Sequence, residues 1–400
     1  MTRSGHFVAL LSTALLVGSG LCGCENNHEK WVYEGDRRWL DMRSAALLDK
    51  AEREFETGDL DLAEQTVVEV LSFDRDNARF YILAGRIALE RSKLERSYHL
   101  FDTAIKFDEK IPEAYYYQGI VLQRWQQFDR AKDRYGKAYE IEPDNVSYLL
   151  AMGEMLVTLG RIDEAIDLFE KKLTYFDQNA ALRTAIGHLY SMKDQPGLAA
   201  DYFGKAALLS PNDSRILEEL SLVYLEAKQY GKAIQILTQL IKEPDLKDRD
   251  DLKRALAGAY AKINQVNEAR DLYVDLARSR NGQASDWVKV GELALKRGDL
   301  FAAARAAKQA IQADPQAHEG YLLAGLVQQK RGRLEEALRM FDRAADRNSK
   351  VVEPFLLRGI ALHKDGHPAA AAQAFSEAIQ RRPDDLRAKR LLECVNRTVK

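Results

Sequence analysis

The chain has 400 residues, 46% of them hydrophobic, and 59 Lys and Arg stand against 61 Asp and Glu for a formal net charge of −2. That composition excludes collagen-like, disulfide-scaffold and largely disordered classes, and the balanced charge removes any global attraction to nucleic acid. The length accommodates two or three ordinary domains or one long repeat array.

The amino terminus opens with Arg3 and an apolar run from Phe7 to Gly23, interrupted by Ser12, Thr13, Gly18, Ser19 and Gly20. Its 17 residues are short for a membrane span, which takes about 20 apolar residues. The run ends in Leu21-Cys22-Gly23-Cys24, which resembles the signal of bacterial lipoproteins. The resemblance implies residues 1–23 as a cleaved signal peptide and a diacylglycerol on the thiol of Cys24. An uncleaved apolar anchor or a plain secretory signal is the alternative. More than one acyl chain on Cys24 anchors a protein stably to a lipid bilayer. Glu25 stands where an Asp would resemble the inner-membrane retention signal, so the expected address is the outer membrane of a bacterial envelope, facing the periplasm. Cleavage leaves Cys24 and Cys394, and no intramolecular disulfide is expected once Cys24 is acylated. Residues 24–43 are polar, with Trp31, Tyr33 and Trp39 among them, and read as a lipidated tether that turns helical near Trp39.

From residue 44 onward a repeat occupies nearly the whole chain. Small residues recur at Ala51, Gly85, Gly119, Gly153, Gly187, Ser221, Ala257, Gly291, Gly325 and Gly359, always 34 residues apart except for 36 between Ser221 and Ala257. Another small residue stands twelve positions later, at Ala63, Ser97, Ala131, Ala165, Ala199, Ala233, Ala269, Ala303, Ala337 and Ala371. Four residues on stands a large apolar side chain such as Phe101, Tyr135, Phe169, Phe203, Phe341 or Phe375, with Ala307 the exception. Such phasing predicts two antiparallel helices per repeat, approaching closely at the small residues while the large side chain fills the space between one repeat and the next. Gly58, Gly160, Gly298, Gly332 and Gly366 supply the left-handed residue that ends each first helix. Proline falls only where a missing amide donor costs little.

The pattern resembles the tetratricopeptide repeat family, most closely at Trp287-Val288-Lys289-Val290-Gly291, with Tyr81, Tyr115, Tyr321 and Phe355 in the equivalent aromatic place. The resemblance covers residues 44–385 and implies an all-α fold, a right-handed α-solenoid of about ten helix-turn-helix repeats. Repeats one to six run over 44–249 and repeats seven to ten over 250–385, and a capping helix over 386–400 carries Ala388, Leu391, Leu392 and Val395 on its apolar face. The two-residue insertion near Asp248-Arg249 fits either a longer turn or a hinge. Lys50 and Glu54 in repeat one suit a polar end-cap.

In this family the concave face, lined by first helices, usually binds peptide segments of partners. Five residues after the small marker, the last four repeats carry Lys262, Lys296, Lys330 and Lys364, and Arg297 and Arg331 come directly after two of them. Two readings fit: a basic stripe that attracts an acidic partner segment, or lysines that complement helix dipoles. Carboxylate-clamp members of the family also need Asn just after the small residue, where this chain has Glu292, Leu326 and Ile360, so that clamp is incomplete. Tyr116, Ile120, Leu222, Leu225, Leu326, Leu356 and Ile360 also fall on lining positions and read as core, or as a contact patch if several are exposed together.

No phosphate-cradling glycine loop, Cys-x-x-Cys pair or catalytic constellation occurs. His363 and His367 are four apart, but Gly366 puts the second in a turn, so no metal site is expected. No cofactor and no catalysis are expected. The function expected is a membrane-anchored protein-interaction scaffold of the bacterial envelope, binding envelope proteins or peptide segments. A regulator or chaperone of a single envelope enzyme is the alternative, and a glycan or small-molecule receptor a weaker one.

Overall fold

The computed structural model describes residues 22–399, with side chains from 37 to 397. The signal assigned to residues 1–23 therefore lies outside the described residues but for its last two positions, and the side chain of Cys24 is outside them too. Every element among the described residues is an α-helix, and the chain divides into two compact units, Met1–Asp177 and Gln178–Lys400.

In the first unit, four hairpins stack in sequence: α1 (Cys22–Glu56) with α2 (Leu60–Leu71), α3 (Ala78–Glu90) with α4 (Leu94–Phe107), α5 (Pro112–Arg124) with α6 (Phe128–Ile141), and α7 (Val146–Thr158) with α8 (Ile162–Lys172). Residues 24–43, expected as a tether, are helical throughout and continuous with the first helix of repeat one. The sequence supplies a reason, since no glycine beyond Gly35 and no proline interrupts them. No helix among the described residues is long and apolar enough to cross a membrane.

The second unit holds six hairpins: α9 (Ala180–Met192) with α10 (Pro196–Leu209), α11 (Ser214–Glu226) with α12 (Tyr230–Leu240), α13 (Asp250–Lys262) with α14 (Val266–Arg278), α15 (Ala284–Lys296) with α16 (Leu300–Ala313), α17 (His318–Lys330) with α18 (Leu334–Arg347), and α19 (Glu353–Lys364) with α20 (Pro368–Arg381). A final helix, α21 (Leu386–Val399), covers the last hairpin, burying Ala388 and Val395 against Phe355, Phe375 and Leu356. The 36-residue interval is taken up by a longer α12–α13 turn inside this unit, where Arg249 donates to Glu218 at 2.8 Å and to Asp251.

The small markers are small because a ring is seated on them. A Cβ on Gly85 would lie 2.4 Å from Phe101, one on Gly119 2.5 Å from Tyr135, and one on Gly359 2.4 Å from Phe375. Each ring thus packs first on the glycine of its own hairpin. It reaches the next hairpin as well, as when Phe101 stacks on Tyr117 at 5.4 Å. Where Ala307 replaces the ring, the space above Gly291 is taken from the next repeat, and a Cβ there would meet Leu323 at 2.3 Å.

The five predicted turn glycines have φ between 73° and 84°. Ser92, Gln126, Asp194, Lys228 and Asn264 hold the same left-handed geometry in the other five hairpins without glycine, with φ of 55–65°. The turn is therefore common to all ten repeats, and packing imposes it even where the side chain resists.

Candidate functional site

The first helices of the last three repeats and the cap form the walls of an apolar cleft of about 370 Å³ in the second unit. α15 supplies Val288 and Glu292, α17 supplies Glu319, Leu322, Leu323 and Leu326, α19 supplies Glu353, Leu356, Leu357 and Ile360, and α21 supplies Arg387 and Leu391. Leu323 and Leu356 are buried and form the floor, whereas Ile360 is 37% exposed and Leu322, Leu326 and Leu357 are half-buried. Helical spacing explains the alignment, since Leu322 and Leu326 on α17, like Leu356 and Ile360 on α19, stand four residues apart on one face. Two of the three positions where clamp proteins carry asparagine, Leu326 and Ile360, therefore contribute apolar surface.

Charge is confined to the rim. Glu292 pairs with Lys289 at 2.8 Å, and Glu319 with Nδ1 of His318 at 3.2 Å. Arg387 of the cap bridges Glu353 at 3.1 Å and Asp385 at 2.8 Å. Asp385 also caps α21, accepting from the backbone amides of Arg387 at 2.9 Å and Ala388 at 3.1 Å. The Arg387 guanidinium, together with those two amides, outweighs burial and holds the Asp385 carboxyl at about 2. Burial works to raise Glu353, but its own backbone amide and Arg387 outweigh it and hold the group below the usual range. The rim is thus a locked ionic corner beside an apolar trough.

The lysines of the expected stripe lie elsewhere. Lys262, Lys296, Lys330 and Lys364 are exposed at the last residue of α13, α15, α17 and α19, and none lines the cleft. Lys296, Lys330 and Lys364 stand four residues after Glu292, Leu326 and Ile360, so they continue that face toward the helix ends. Their flanking arginines bind the chain itself. Arg297 donates to Asn267 at 2.7 Å, and Arg331 donates to the carbonyl of Leu300 at 3.0 Å. Arg91 does the same in the first unit, reaching Asp61 and Glu64 of the preceding hairpin. At this position in the repeat, arginine fastens one hairpin to the one before.

Of the apolar lining residues expected from sequence, Leu326, Leu356 and Ile360 come together in the cleft, and Leu222 is exposed by itself on α11. Tyr116 and Ile120 pack into the core of the first unit beside Tyr135 and Met155. Leu322, Leu323, Leu357 and the contribution of the cap were not singled out by the spacing. They carry ordinary core residues, and only the placement of α21 turns them into a wall. His363 lies in α19 and His367 precedes α20. Among the described residues no three His, Cys, Asp or Glu side chains converge as metal ligands.

Residues 116–179, 288–352 and 322–385 match a family model described as tetratricopeptide repeat. Among curated proteins, the BBSome complex member BBS4 of Bos taurus is 25% identical over 219 residues, covering 54% of this chain and 41% of that protein. Its Mus musculus counterpart is 27% identical over 199 residues, covering 50% and 38%. The chain therefore spans about two fifths of the length of these relatives. Among solved structures, yeast Tom70 shares 12% identity with a TM-score of 0.40, over 90% of this chain and 96% of that one.

Proposed function

The chain being a tetratricopeptide repeat protein, we propose that it is a non-catalytic protein-interaction scaffold whose second unit holds an apolar segment of a partner in the α15–α17–α19–α21 cleft. One observation carries this reading: Leu322, Leu326, Leu357 and Ile360 leave apolar surface together on successive first helices, where an isolated stack would place polar side chains. The cleft is sized for a few leucine-like anchors, the residues that concentrate binding energy at protein interfaces. Lys296, Lys330 and Lys364 at the ends of the same helices would favour acidic residues beyond the apolar anchor.

The finer part of the proposal is the setting, a bacterial envelope with the scaffold tethered through lipid on Cys24. The Leu21-Cys22-Gly23-Cys24 box supports it, and Cys24→Ser should move the protein from the membrane to the soluble envelope fraction. The cleft is tested by a photo-crosslinking residue at position 360, with and without Leu326→Glu. A defined set of crosslinked envelope proteins should appear and be lost in the variant. The same set in both would refute the cleft as the docking place.

A further inference from the structure

A second cavity, of about 430 Å³, lies in the first unit where α1, the α2–α3 turn and the α4–α5 turn meet. Five aspartates line it: Asp41 and Asp49 from α1, Asp74 and Asp76 from the α2–α3 turn, and Asp108 from the α4–α5 turn. Arg79 is the single cationic side chain among the described lining residues, and no ion pair joins it or any of the five aspartates to another described residue. Ser44, also in the lining, is 2% exposed, and its Oγ has no hydrogen-bond partner among the described residues. Phe107 stands at the edge, 44% exposed, and stacks on Tyr81 at 5.3 Å.

We propose that this cavity takes an arginine side chain of a basic segment in a protein partner. Asp74 accepts from Asn77 Nδ2 and Asp108 from the Lys110 amide, both at 2.9 Å. Carboxylates without a cationic partner at one place still favour a cation, and an aromatic face beside them favours a flat one. A guanidinium fits both demands, because it forks to carboxylates through several N–H donors while its plane lies on a ring. The orphan hydroxyl of Ser44 is a buried acceptor for a further donor of such a fork. A single small metal ion fits poorly, since these carboxylates do not converge as a ligand set among the described residues. The source is a polypeptide because the cavity is continuous with the face lined by α1, α3 and α5. Arg79, Asp108 and Ile111 are shared with a neighbouring depression of mixed charge, to which Glu52, Arg86, Lys110, Glu113 and Tyr117 also contribute. The proposal does not rest on the cleft of the second unit.

The test is fluorescence anisotropy of the full-length protein with a short labelled arginine–glycine peptide, and with the same peptide carrying citrulline or lysine. The arginine peptide should bind well ahead of the citrulline one, since citrulline keeps the shape and loses the charge. Asp76→Asn with Asp108→Asn changes two exposed side chains and should cost about tenfold in affinity per charge removed. Phe107→Leu should weaken the arginine peptide more than the lysine peptide, because stacking favours the planar cation. Leu326→Glu, in the other unit, should leave this binding unchanged. Equal binding of the citrulline peptide, or full binding by the aspartate variants, would overturn the proposal. So would protection from thermal unfolding by calcium or magnesium alone that the aspartate variants lose.

Discussion

Adding one methyl group at Gly153 should do the opposite of adding one at Gly136. Both glycines lie inside helices of the first unit, α7 and α6. An alanine in a helix interior gains about 1 kcal/mol over glycine. At Gly136 the new Cβ meets only Met152 Sδ, at 3.4 Å, an ordinary contact, so Gly136→Ala should keep that gain. At Gly153 it would stand 2.0 Å from Cζ of Phe169, a ring only 3% exposed. Carbon atoms rest about 3.5–4 Å apart, so the ring must withdraw by roughly 1.5 Å within a packed core. Overpacking of this kind costs about 1–3 kcal/mol, which reverses the helical gain and leaves a net loss of about 1 kcal/mol. Long repeat stacks need not unfold in one step, so the readout should be local: hydrogen exchange of α7 and α8 by mass spectrometry. Gly136→Ala should slow exchange in α6 and Gly153→Ala should speed it in α7 and α8, the two local effects differing by about 2 kcal/mol, roughly 30-fold in exchange rate. Phe169→Leu placed on Gly153→Ala should recover about 1 kcal/mol, a coupling that independent sites do not show. If Gly153→Ala protects α7 and α8 as Gly136→Ala protects α6, the ring is not seated on the glycine and the packing argument fails.

Lys228→Gly and Gln126→Gly should stabilise their hairpins by about 1 kcal/mol each, measured by local exchange, because both residues hold positive φ without glycine's freedom. Asp286→Ala should cost about 3 kcal/mol with little salt dependence in local hydrogen exchange of α13 and α15, since Asp286 is 2% exposed and takes a two-pronged contact from Arg254 at 2.9 and 3.0 Å. Asp385 has a folded-state value of about 2, below the ~3.9 of an unfolded chain. Its contribution is therefore present above ~3.9 and lost as pH falls toward about 2, so α21 should lose exchange protection over that window, and Asp385→Asn should flatten the dependence.

The helices and their pairing were legible because the repeat writes itself at fixed spacing: Gly85 to Gly119 to Gly153, with Phe101, Tyr135 and Phe169 in step. That signal is strong since a close helix contact tolerates so little. Ala307 was legible as an exception, but not Leu323 as its substitute, which comes from another repeat and a different position. The stripe of lysines was legible as a row, but its partners were not. Arg297 and Arg331 look like ligand-binding groups by charge, and only coordinates show that each also bonds the preceding hairpin, at Asn267 and at the Leu300 carbonyl. The cleft was half legible. Leu326, Leu356 and Ile360 were singled out by position, yet core and exposed leucines are alike in sequence, and the wall contributed by Leu391 depends on how α21 docks.

That last dependence reaches beyond packing. α21 is held to the α19–α20 hairpin through Ala388 and Val395, and an element with few buried contacts opens more readily than the core of a stack. This helix is also a wall of the cleft, latched by Arg387 to Glu353 and Asp385. A partner seated against Leu391 therefore meets only the closed form, and binding must draw on the free energy that keeps α21 in place. By linkage the reverse holds too: an occupied cleft suppresses opening of α21 in proportion to ligand concentration over its dissociation constant. Whatever lifts α21 away, whether low pH or a competitor for its apolar face, would release a partner seated there without touching the partner at all.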